Sequence, residues 1–144
     1  MYNEYAGNLN SEGIIVMDQR DIEVILARNL AEHLAMPIFI VNPFGDLLFY
    51  NEPAEVILGY RFDETGSMPA SRWATIFQPV DPTGQPLAPS ELPLVVATTE
   101  RHPAHSRFSI KGLDERLRQI EVTAFPLIGQ SDRFVGAMAI FWEV

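Results

Sequence analysis

The sequence predicts an α+β domain in which five antiparallel strands form one sheet with helices on one face. Two short apolar runs, residues 38–41 and 47–50, are separated by a tight turn and indicate an opening hairpin. Residues 116–127 alternate between apolar and polar side chains, which is typical of a half-buried antiparallel strand. The final residues, 134–144, are apolar on both faces, so this strand needs a cover on each side.

The composition indicates one globular domain and limits its partners. With 144 residues, of which 47% are hydrophobic and 20% charged, the chain can bury a substantial core. Its formal net charge of −9 disfavours nucleic acid and anionic membranes as partners, because both are polyanions. No stretch approaches the roughly 20 apolar residues of a membrane span, and the polar, acidic N-terminus differs from a signal peptide. A cytoplasmic location is therefore expected.

The first 35 residues are expected to form a tail and a helix. Residues 1–17 read as a flexible tail, and residues 18–35 as an amphipathic helix that caps the domain or mediates dimerisation. Asp18 suits the N-cap, with Asp21 three residues later. Apolar residues recur along the helix at helical spacing, namely Ile22, Ile25, Leu26, Leu30 and Leu34. This stripe either lies on the domain's own sheet or is shared with a second subunit, where Asn29 could fix the register.

Residues 36–144 are predicted to form the main domain, which opens with a strand, a turn, a strand and a capped helix. Pro43 presets the backbone of the turn, and Gly45 can adopt the left-handed conformation that the turn needs. Asn51 is the expected N-cap of the helix, because its side-chain oxygen can accept from a free amide of the first turn. Pro53 falls in that first turn, where a missing N–H is tolerated.

The middle of the chain is irregular and contains two short predicted helices. A helix over Ser71–Phe77 would place Trp73 and Phe77 on one face, either to fill the core or to form an aromatic wall of a ligand pocket. A second helix is predicted over Ser90–Glu100, with Ser90 as its N-cap.

Three strands close the chain, and the two faces of the last strand predict an interface. One face carries Phe134, Met138, Ile140 and Trp142, and the opposite face carries Val135, Ala137, Ala139 and Phe141. One cover must be the domain core, and the other must be the N-terminal helix or a partner subunit. The predicted interface residues are therefore Ile22, Ile25, Leu26, Asn29, Leu30, Met138, Ile140 and Trp142.

Several short motifs, taken in order, resemble those of a known family. They are Asn42-x-x-Gly45, Tyr50-Asn51-x-x-Ala54, Leu58-Gly59-Tyr60, Phe77-x-Pro79-x-Asp81, Glu91-Leu92-Pro93-Leu94, Val122–Leu127 and Gly136–Phe141. With them, the chain from about Leu34 to Val144 resembles a PAS (sensory-box) domain. The resemblance implies the strand order 2-1-5-4-3 and a sensory role in signal transduction, including two-component signalling. It also implies an N-terminal helix that packs on the outer sheet face and often mediates pairing.

The resemblance further implies an apolar cavity between the inner sheet face and the helices. Together with the aromatic residues of the middle helix, the predicted ligand-binding residues are Phe39, Val41, Leu48, Tyr50, Ala54, Leu58, Trp73, Phe77, Val95, Phe108 and Val122. Large aromatic side chains could fill this space, whereas Ala124, Ala137 and Ala139 leave room. A filled core and a bound small organic ligand, whose identity is unknown, both remain open.

The sequence carries no catalytic or metal-binding signature, so catalytic residues and metal ligands are not predicted. It lacks a glycine-rich phosphate loop, HExxH and GxSxG. The absence of cysteine excludes flavin chemistry of the thiol-adduct type. Haem is not expected, although the resemblance would place an axial ligand near His102. Asp46, Glu52 and Glu55 are clustered acids, but they lie at a turn and a helix start, where negative charge is structurally favoured.

The sequence therefore predicts a non-enzymatic PAS-like sensory module that binds a small ligand, forms a homodimer, or does both. A kinase or a regulator, separate or downstream, is the expected kind of effector. Two alternatives stay open: a structural dimerisation domain with a filled core, and a small isomerase-like α+β enzyme. A buried carboxylate inside the cavity would favour the enzyme.

Overall fold

A computed structural model of the chain describes residues 8–9, 15–16 and 19–144. Asn8–Leu9 pairs antiparallel with Ile15–Val16. The other residues of the predicted flexible tail, 1–17, lie outside the described residues, as do the predicted Asp18 cap and the side chain of Asp21.

One five-stranded antiparallel sheet forms the centre of the domain. Its strands are β1 (Ile38–Val41), β2 (Leu47–Tyr50), β3 (Ala104–Lys111), β4 (Leu117–Ile128) and β5 (Phe134–Glu143). They lie in the order β2-β1-β5-β4-β3, which confirms the predicted α+β class and the strand order 2-1-5-4-3. The first and last strands of the main domain are therefore neighbours at the centre of the sheet.

The register of the central strands places apolar side chains opposite each other. Phe39 pairs with Ala139 across β1 and β5, and Val122 pairs with Phe141 across β4 and β5. At Gly136 the backbone has a φ of +143°, and a Cβ there would collide with the carbonyl oxygen of Val41. Glycine at this position therefore permits the close approach of the two central strands.

In the described part of the chain, five α-helices flank the sheet: α1 (Gln19–His33), α2 (Glu52–Leu58), α3 (Phe62–Thr65), α4 (Ala70–Ile76) and α5 (Pro93–Thr99). Helix α1 packs on the outer face, whereas α2, α4 and α5 bury residues against the inner face. Asn51 caps α2 as predicted, since its side chain accepts from the amide of Ala54 at 3.2 Å.

The predicted start of the second helix of the middle segment is wrong. Residues Pro89–Glu91 form a separate 3-10 turn, and α5 begins after Leu92 rather than after Ser90. The carboxylate of Glu91 accepts from the amide of Ala88 at 2.8 Å, which closes that turn on itself. Pro93 then occupies the first turn of α5, where proline is tolerated.

Two apolar clusters lie on opposite faces of the sheet. We call the larger one the inner core; it includes Val41, Leu47, Tyr50 and Ala54. The smaller, the outer cluster, consists of the buried residues Ala31, Ile38, Ile40, Phe49 and Met138. Both faces of β5 are thus covered within the chain at this point, since Met138 faces outward and Ala139 inward.

The prediction that Leu48 faces inward is wrong, because the hairpin contains a bulge. Val41 pairs with Leu47 while Ile40 pairs with Phe49, so Leu48 is the extra residue. Its side chain is half-buried and packs against the outer cluster, and Leu47 takes the inward position.

Within the described ranges, no helix has both the length and the apolar character needed to cross a membrane. In the same residues, no group of three or more His, Cys, Asp or Glu side chains converges into a metal site.

Candidate functional site

An apolar cavity of about 80 Å³ lies between the inner sheet face and helices α2, α4 and α5. Its wall is formed by Phe39, Leu58, Trp73, Phe77, Pro79, Leu92, Pro93, Leu94, Phe108, Ile110, Ile120, Val122, Ala139 and Phe141. None of these described residues is titratable. The cavity can therefore hold an apolar group, and its wall offers no side-chain acid or base.

A hydrogen bond holds Trp73, a residue of the aromatic cavity wall, in place. The indole nitrogen of Trp73 donates to the carbonyl oxygen of Gly45 at 2.8 Å, which ties α4 to the β1–β2 turn. Gly45 has a φ of +87°, as the predicted left-handed turn position requires. The rings of Trp73 and Phe39 meet edge to face with centroids 5.3 Å apart. Trp73 and Phe77 are both buried and line the cavity.

The predicted ligand-binding residues fall into three groups. Phe39, Leu58, Trp73, Phe77, Phe108 and Val122 line the cavity. Val41, Tyr50 and Ala54 are buried in the inner core away from the cavity wall, and Val95 is half-buried at its edge. Leu48 lies on the other side of the sheet.

Sequence reasoning missed several wall residues, although two of its own patterns point to them. Ile120 was placed on the same face as Val122 by the alternation of β4, and both line the cavity. Ala139 and Phe141 were likewise placed together on one face of β5. Leu94 was missed because its position depends on where α5 begins.

The size of the cavity limits what it can hold. Ligand pockets for drug-sized molecules measure about 300–1,000 Å³, and an engineered apolar cavity of about 150 Å³ binds benzene. At about 80 Å³, the observed space accommodates only a few non-hydrogen atoms in the present conformation.

Helix α1 presents an exposed apolar stripe on the side facing away from the sheet. Its members, hereafter the α1 stripe, are Ile22, Leu26 and Leu30 of the helix and Leu34 just after its end, with 38%, 61%, 57% and 37% of their surface exposed. Asn29 is exposed beside them, and Ile25 is half-buried. The small residues Ala27 and Ala31 face the sheet instead. The helix thus contacts its own sheet through alanines and leaves the large apolar residues of the α1 stripe exposed.

The predicted interface residues of β5 are less accessible than those of α1. Met138 is buried in the outer cluster, so it is not open to a second copy of the chain. Ile140 and Trp142 are half-buried, and the Trp142 ring lies 6.3 Å from the ring of His105.

An ion pair fixes the N-terminal half of α1. The carboxylate of Glu23 lies 3.3 Å from the guanidinium of Arg133 in the β4–β5 connection. It also packs directly on Gly129, where a Cβ would overlap it. A glycine at position 129 therefore lets the carboxylate of α1 approach the sheet.

Aromatic contacts connect the outer and inner faces around the edge strand β2. The Phe62 ring meets Phe49 of the outer cluster and Tyr50 of the inner core, with both centroid distances 5.3 Å. The guanidinium of Arg28 on α1 lies 4.6 Å from the centre of the Phe49 ring. On the inner side, Tyr50 stacks on Phe39 at 5.9 Å. A continuous series of contacts therefore runs from Arg28 on α1, through these rings, to the cavity wall.

Tyr50 is a buried, titratable member of this series. Burial raises the pKa of Tyr50, and its hydroxyl donates to the carbonyl oxygen of Tyr60 at 3.0 Å. The same hydroxyl lies 3.1 Å from the hydroxyl of Thr65. These bonds anchor the segment around α3 to β2.

Two of the clustered acids, Asp46 and Glu55, have structural partners, and so does His102. The carboxylate of Glu55 accepts from the amide of Phe62 at 2.7 Å, and Asp46 accepts from the amide of Ala70 at 3.3 Å. His102 is exposed, and the carbonyl of Pro103 and the carboxylate of Glu100 raise the pKa of its imidazole.

Comparison with solved structures shows which fold this arrangement represents. A PAS domain from Colwellia psychrerythraea is 15% identical, with a TM-score of 0.59 over 84% of this chain and 96% of that chain. The PAS domain of Bordetella pertussis BvgS is 15% identical, with a TM-score of 0.57 over 85% of each chain. The LOV protein of Rhodobacter sphaeroides is 13% identical, with a TM-score of 0.67 over 85% of this chain and 68% of that chain.

The chain has the PAS fold. The resemblance predicted from the sequence motifs is thereby confirmed at the level of the fold. No family model matches the sequence, and no curated protein matches it significantly. In this fold, the apolar cavity lies on the inner face of the sheet and the α1 stripe on the outer side.

Proposed function

We propose that this PAS domain is a non-enzymatic signalling module that acts as a homodimer through the α1 stripe. The exposed stripe carries the proposal. Four large apolar residues follow each other at intervals of four: Ile22, Leu26 and Leu30 along the helix, and Leu34 just after its end. Contiguous exposed apolar surface of this kind is typical of an interaction site.

The second copy of the chain is the occupant that fits this surface best. A twofold pairing brings the stripe of one α1 against the same stripe of the other, so apolar residues meet apolar residues. Asn29 beside the stripe then supplies a polar contact that sets the register of the two helices.

The cavity supports a signalling role in which any ligand is small and apolar. Its volume of about 80 Å³ argues against a large cofactor in this conformation. The isomerase-like alternative needs a buried carboxylate, and no described residue of the wall supplies one. The alternative, a structural dimerisation domain with a filled core, differs from this proposal in that no ligand occupies the cavity.

A kinase or a regulator is the kind of effector we propose for the dimer. PAS domains among the similar structures include one from a two-component sensor histidine kinase, at 12% identity and a TM-score of 0.55. This likeness supports, for the present chain, a module that passes a change in dimer geometry to an effector.

Sedimentation equilibrium of the purified protein over a wide concentration range tests the proposal. We expect a reversible monomer–dimer equilibrium with a dimer at the highest concentrations. A strict monomer at every concentration would contradict homodimerisation. Native mass spectrometry of the same sample then reports whether a small molecule accompanies either species.

A further inference from the structure

We propose that the outer edge of β3 binds an extended acidic segment of a partner protein, which adds to the sheet as a sixth strand. This surface lies away from α1, and the proposal does not depend on homodimerisation. An unpaired strand edge presents free N–H and C=O groups, which an extended peptide can satisfy.

The two edges of the sheet differ in how they are covered. On the β2 edge, the amide of Leu47 donates to the carbonyl of Met68 at 2.7 Å, and Phe62 packs around the strand. On the β3 edge, one residue pair forms a bridge among the described residues, and the amide of Lys111 donates to the carbonyl of Phe77 at 2.9 Å. Ser109 and Val80 exchange two backbone hydrogen bonds of 3.0 and 2.8 Å. This bridge shows that the β3 edge accepts a neighbouring strand.

The pairing beyond Ser109 stops because the neighbouring chain turns away. Two residues after Val80 comes Pro82, which has no N–H to donate. The carboxylate of Asp81 accepts from the amides of Thr83 and Gln85 at 2.8 and 3.0 Å, which closes a tight turn. The strand edge from Ala104 to Phe108 is therefore left without a neighbour among the described residues.

The free backbone groups can be assigned to two residues. In an antiparallel strand, alternate residues direct their N–H and C=O groups to the same side. Because Ser109 points to the edge, His105 and Arg107 do so as well, whereas Ser106 and Phe108 bond to β4. In the described part of the chain, neither His105 nor Arg107 has a backbone partner on the edge side.

The edge is flanked by positive charge in an otherwise acidic protein. Residues 101–111 contain two arginines, one lysine and two histidines and no acidic residue, whereas the whole chain has a net charge of −9. The side chains of His105 and Arg107 are about half exposed and share one carboxylate, that of Glu121, at 3.5 and 3.2 Å. One carboxylate for two basic side chains leaves room for a second acid.

This charge distribution indicates which kind of strand the β3 edge can bind. If two copies paired through β3 around a twofold axis, basic side chains would lie opposite each other, which is unfavourable. A segment with two acidic residues two positions apart instead places both carboxylates on the outer face, beside His105 and Arg107. The structure therefore favours an acidic-x-acidic extended segment over a second copy.

A peptide titration monitored by amide NMR tests the proposal. The probe is a capped heptapeptide with two glutamates, two residues apart, in a valine and threonine background. We expect it to shift the backbone amides of His105 and Arg107 and to slow their hydrogen exchange. The same peptide with lysines in place of the glutamates should bind at least about fivefold more weakly, because attractive cross-strand pairs become repulsive.

Two further arms separate strand addition from simple charge attraction. Arg107→Pro removes an outward-pointing N–H without removing a bond to β4, so it should abolish binding, whereas Arg107→Gln should only weaken it. An N-methylated version of the acidic peptide should not bind the unmodified protein, which keeps the test decisive even if Arg107→Pro fails to fold. Absence of binding by the acidic peptide, or binding that leaves both amides unchanged, would overturn the proposal. So would a lysine peptide or an N-methylated peptide that binds as tightly as the acidic peptide.

Discussion

The side-chain amide of Asn51 donates to the carbonyl oxygen of Ala31 at 2.9 Å, which joins the start of α2 to the end of α1. The same amide donates to the carbonyl of Met36 at 2.8 Å. The side-chain oxygen accepts from the amides of Ile38 and Ala54 at 2.9 and 3.2 Å. One buried side chain therefore fixes α1, the following linker, β1 and α2 to each other.

We predict that Asn51→Ala destabilises the domain by about 3 kcal/mol, because it leaves several buried backbone groups without partners. Urea unfolding measures the effect. Asn42→Ala is the matched control, since the Asn42 side chain also accepts two backbone amides, but in a more exposed turn. A loss for Asn51→Ala no greater than that for Asn42→Ala would show that the buried network is not what anchors α1.

We predict that Phe62 couples the two faces of the sheet. Phe49 and Tyr50 point to opposite faces, yet the Phe62 ring contacts both. A double-mutant cycle of Phe49→Leu and Tyr50→Leu should therefore give a coupling free energy of about 0.5–1.5 kcal/mol. The coupling should fall to near zero when the cycle is repeated in a Phe62→Ala background. An unchanged coupling in that background would assign it to the shared backbone rather than to the ring.

We predict that Ala139→Val stabilises the domain by about 0.5–1 kcal/mol, because the added methyl groups enter the cavity. Ala124 is the matched control: it lies directly opposite Ala139 on β4 and is buried in the inner core, but it does not line the cavity. Ala124→Val should destabilise the domain by about 1–3 kcal/mol through overpacking. Thermal unfolding compares the two variants, and a destabilising Ala139→Val would mean that the space is not available to a side chain.

We predict a pH-dependent contribution from Asp114 and Arg118. The guanidinium of the buried Arg118 donates to both carboxylate oxygens of Asp114, at 2.8 and 3.1 Å, and to the carbonyl of Ile57 at 2.9 Å. Hydrogen bonds from Arg118 and the amide of Arg116 lower the pKa of Asp114 to about 2. The pKa in the folded state lies below the value of about 3.9 in the unfolded chain. The pair therefore stabilises the fold above about pH 4, and this contribution is lost as the pH falls toward 2.

Acid titration of the free energy of unfolding tests this contribution. Asp114→Asn should flatten the pH dependence between about pH 4 and 2. Asp63→Asn is the control, because the ion pair of Asp63 with Arg61 is exposed on the surface. If the two variants show the same slope as the unmodified protein, the Asp114 pair does not contribute to acid stability.

The sequence carried enough information to predict the strands, because periodicity reports directly on which faces of a strand are buried, whereas the strand order came from the family resemblance. The two apolar faces of β5 correctly implied two covers. The position of Leu48 could not be predicted in the same way, since it depends on a bulge. That bulge follows from the turn, where the amide of Asn42 donates to the carbonyl of Asp46 and the Asn42 side chain caps the loop. A local hydrogen-bond arrangement of this kind leaves no periodic signal.

The candidate site was predictable only in part, for two physical reasons. The family resemblance placed Phe39, Phe108 and Val122 on the inner face of the sheet, and all three line the cavity. Leu94, whose position depends on the helix start, was missed because Glu91 closes a separate turn before α5. The sequence left open whether the α1 stripe faces the domain's own sheet or points away from it, because the helix has apolar residues on both sides.

Sedimentation equilibrium of the Leu26→Glu variant tests the central claim most directly. Leu26 is the most exposed member of the α1 stripe, at 61%, and Val56 on α2 is an apolar residue with 70% exposure elsewhere on the domain. We predict that Leu26→Glu weakens the dimer at least about tenfold, because each copy loses a buried leucine and gains a charge. Val56→Glu should leave the dimer unchanged. Equal dimerisation of the Leu26→Glu variant and the unmodified protein would contradict the assignment of the α1 stripe as the interface.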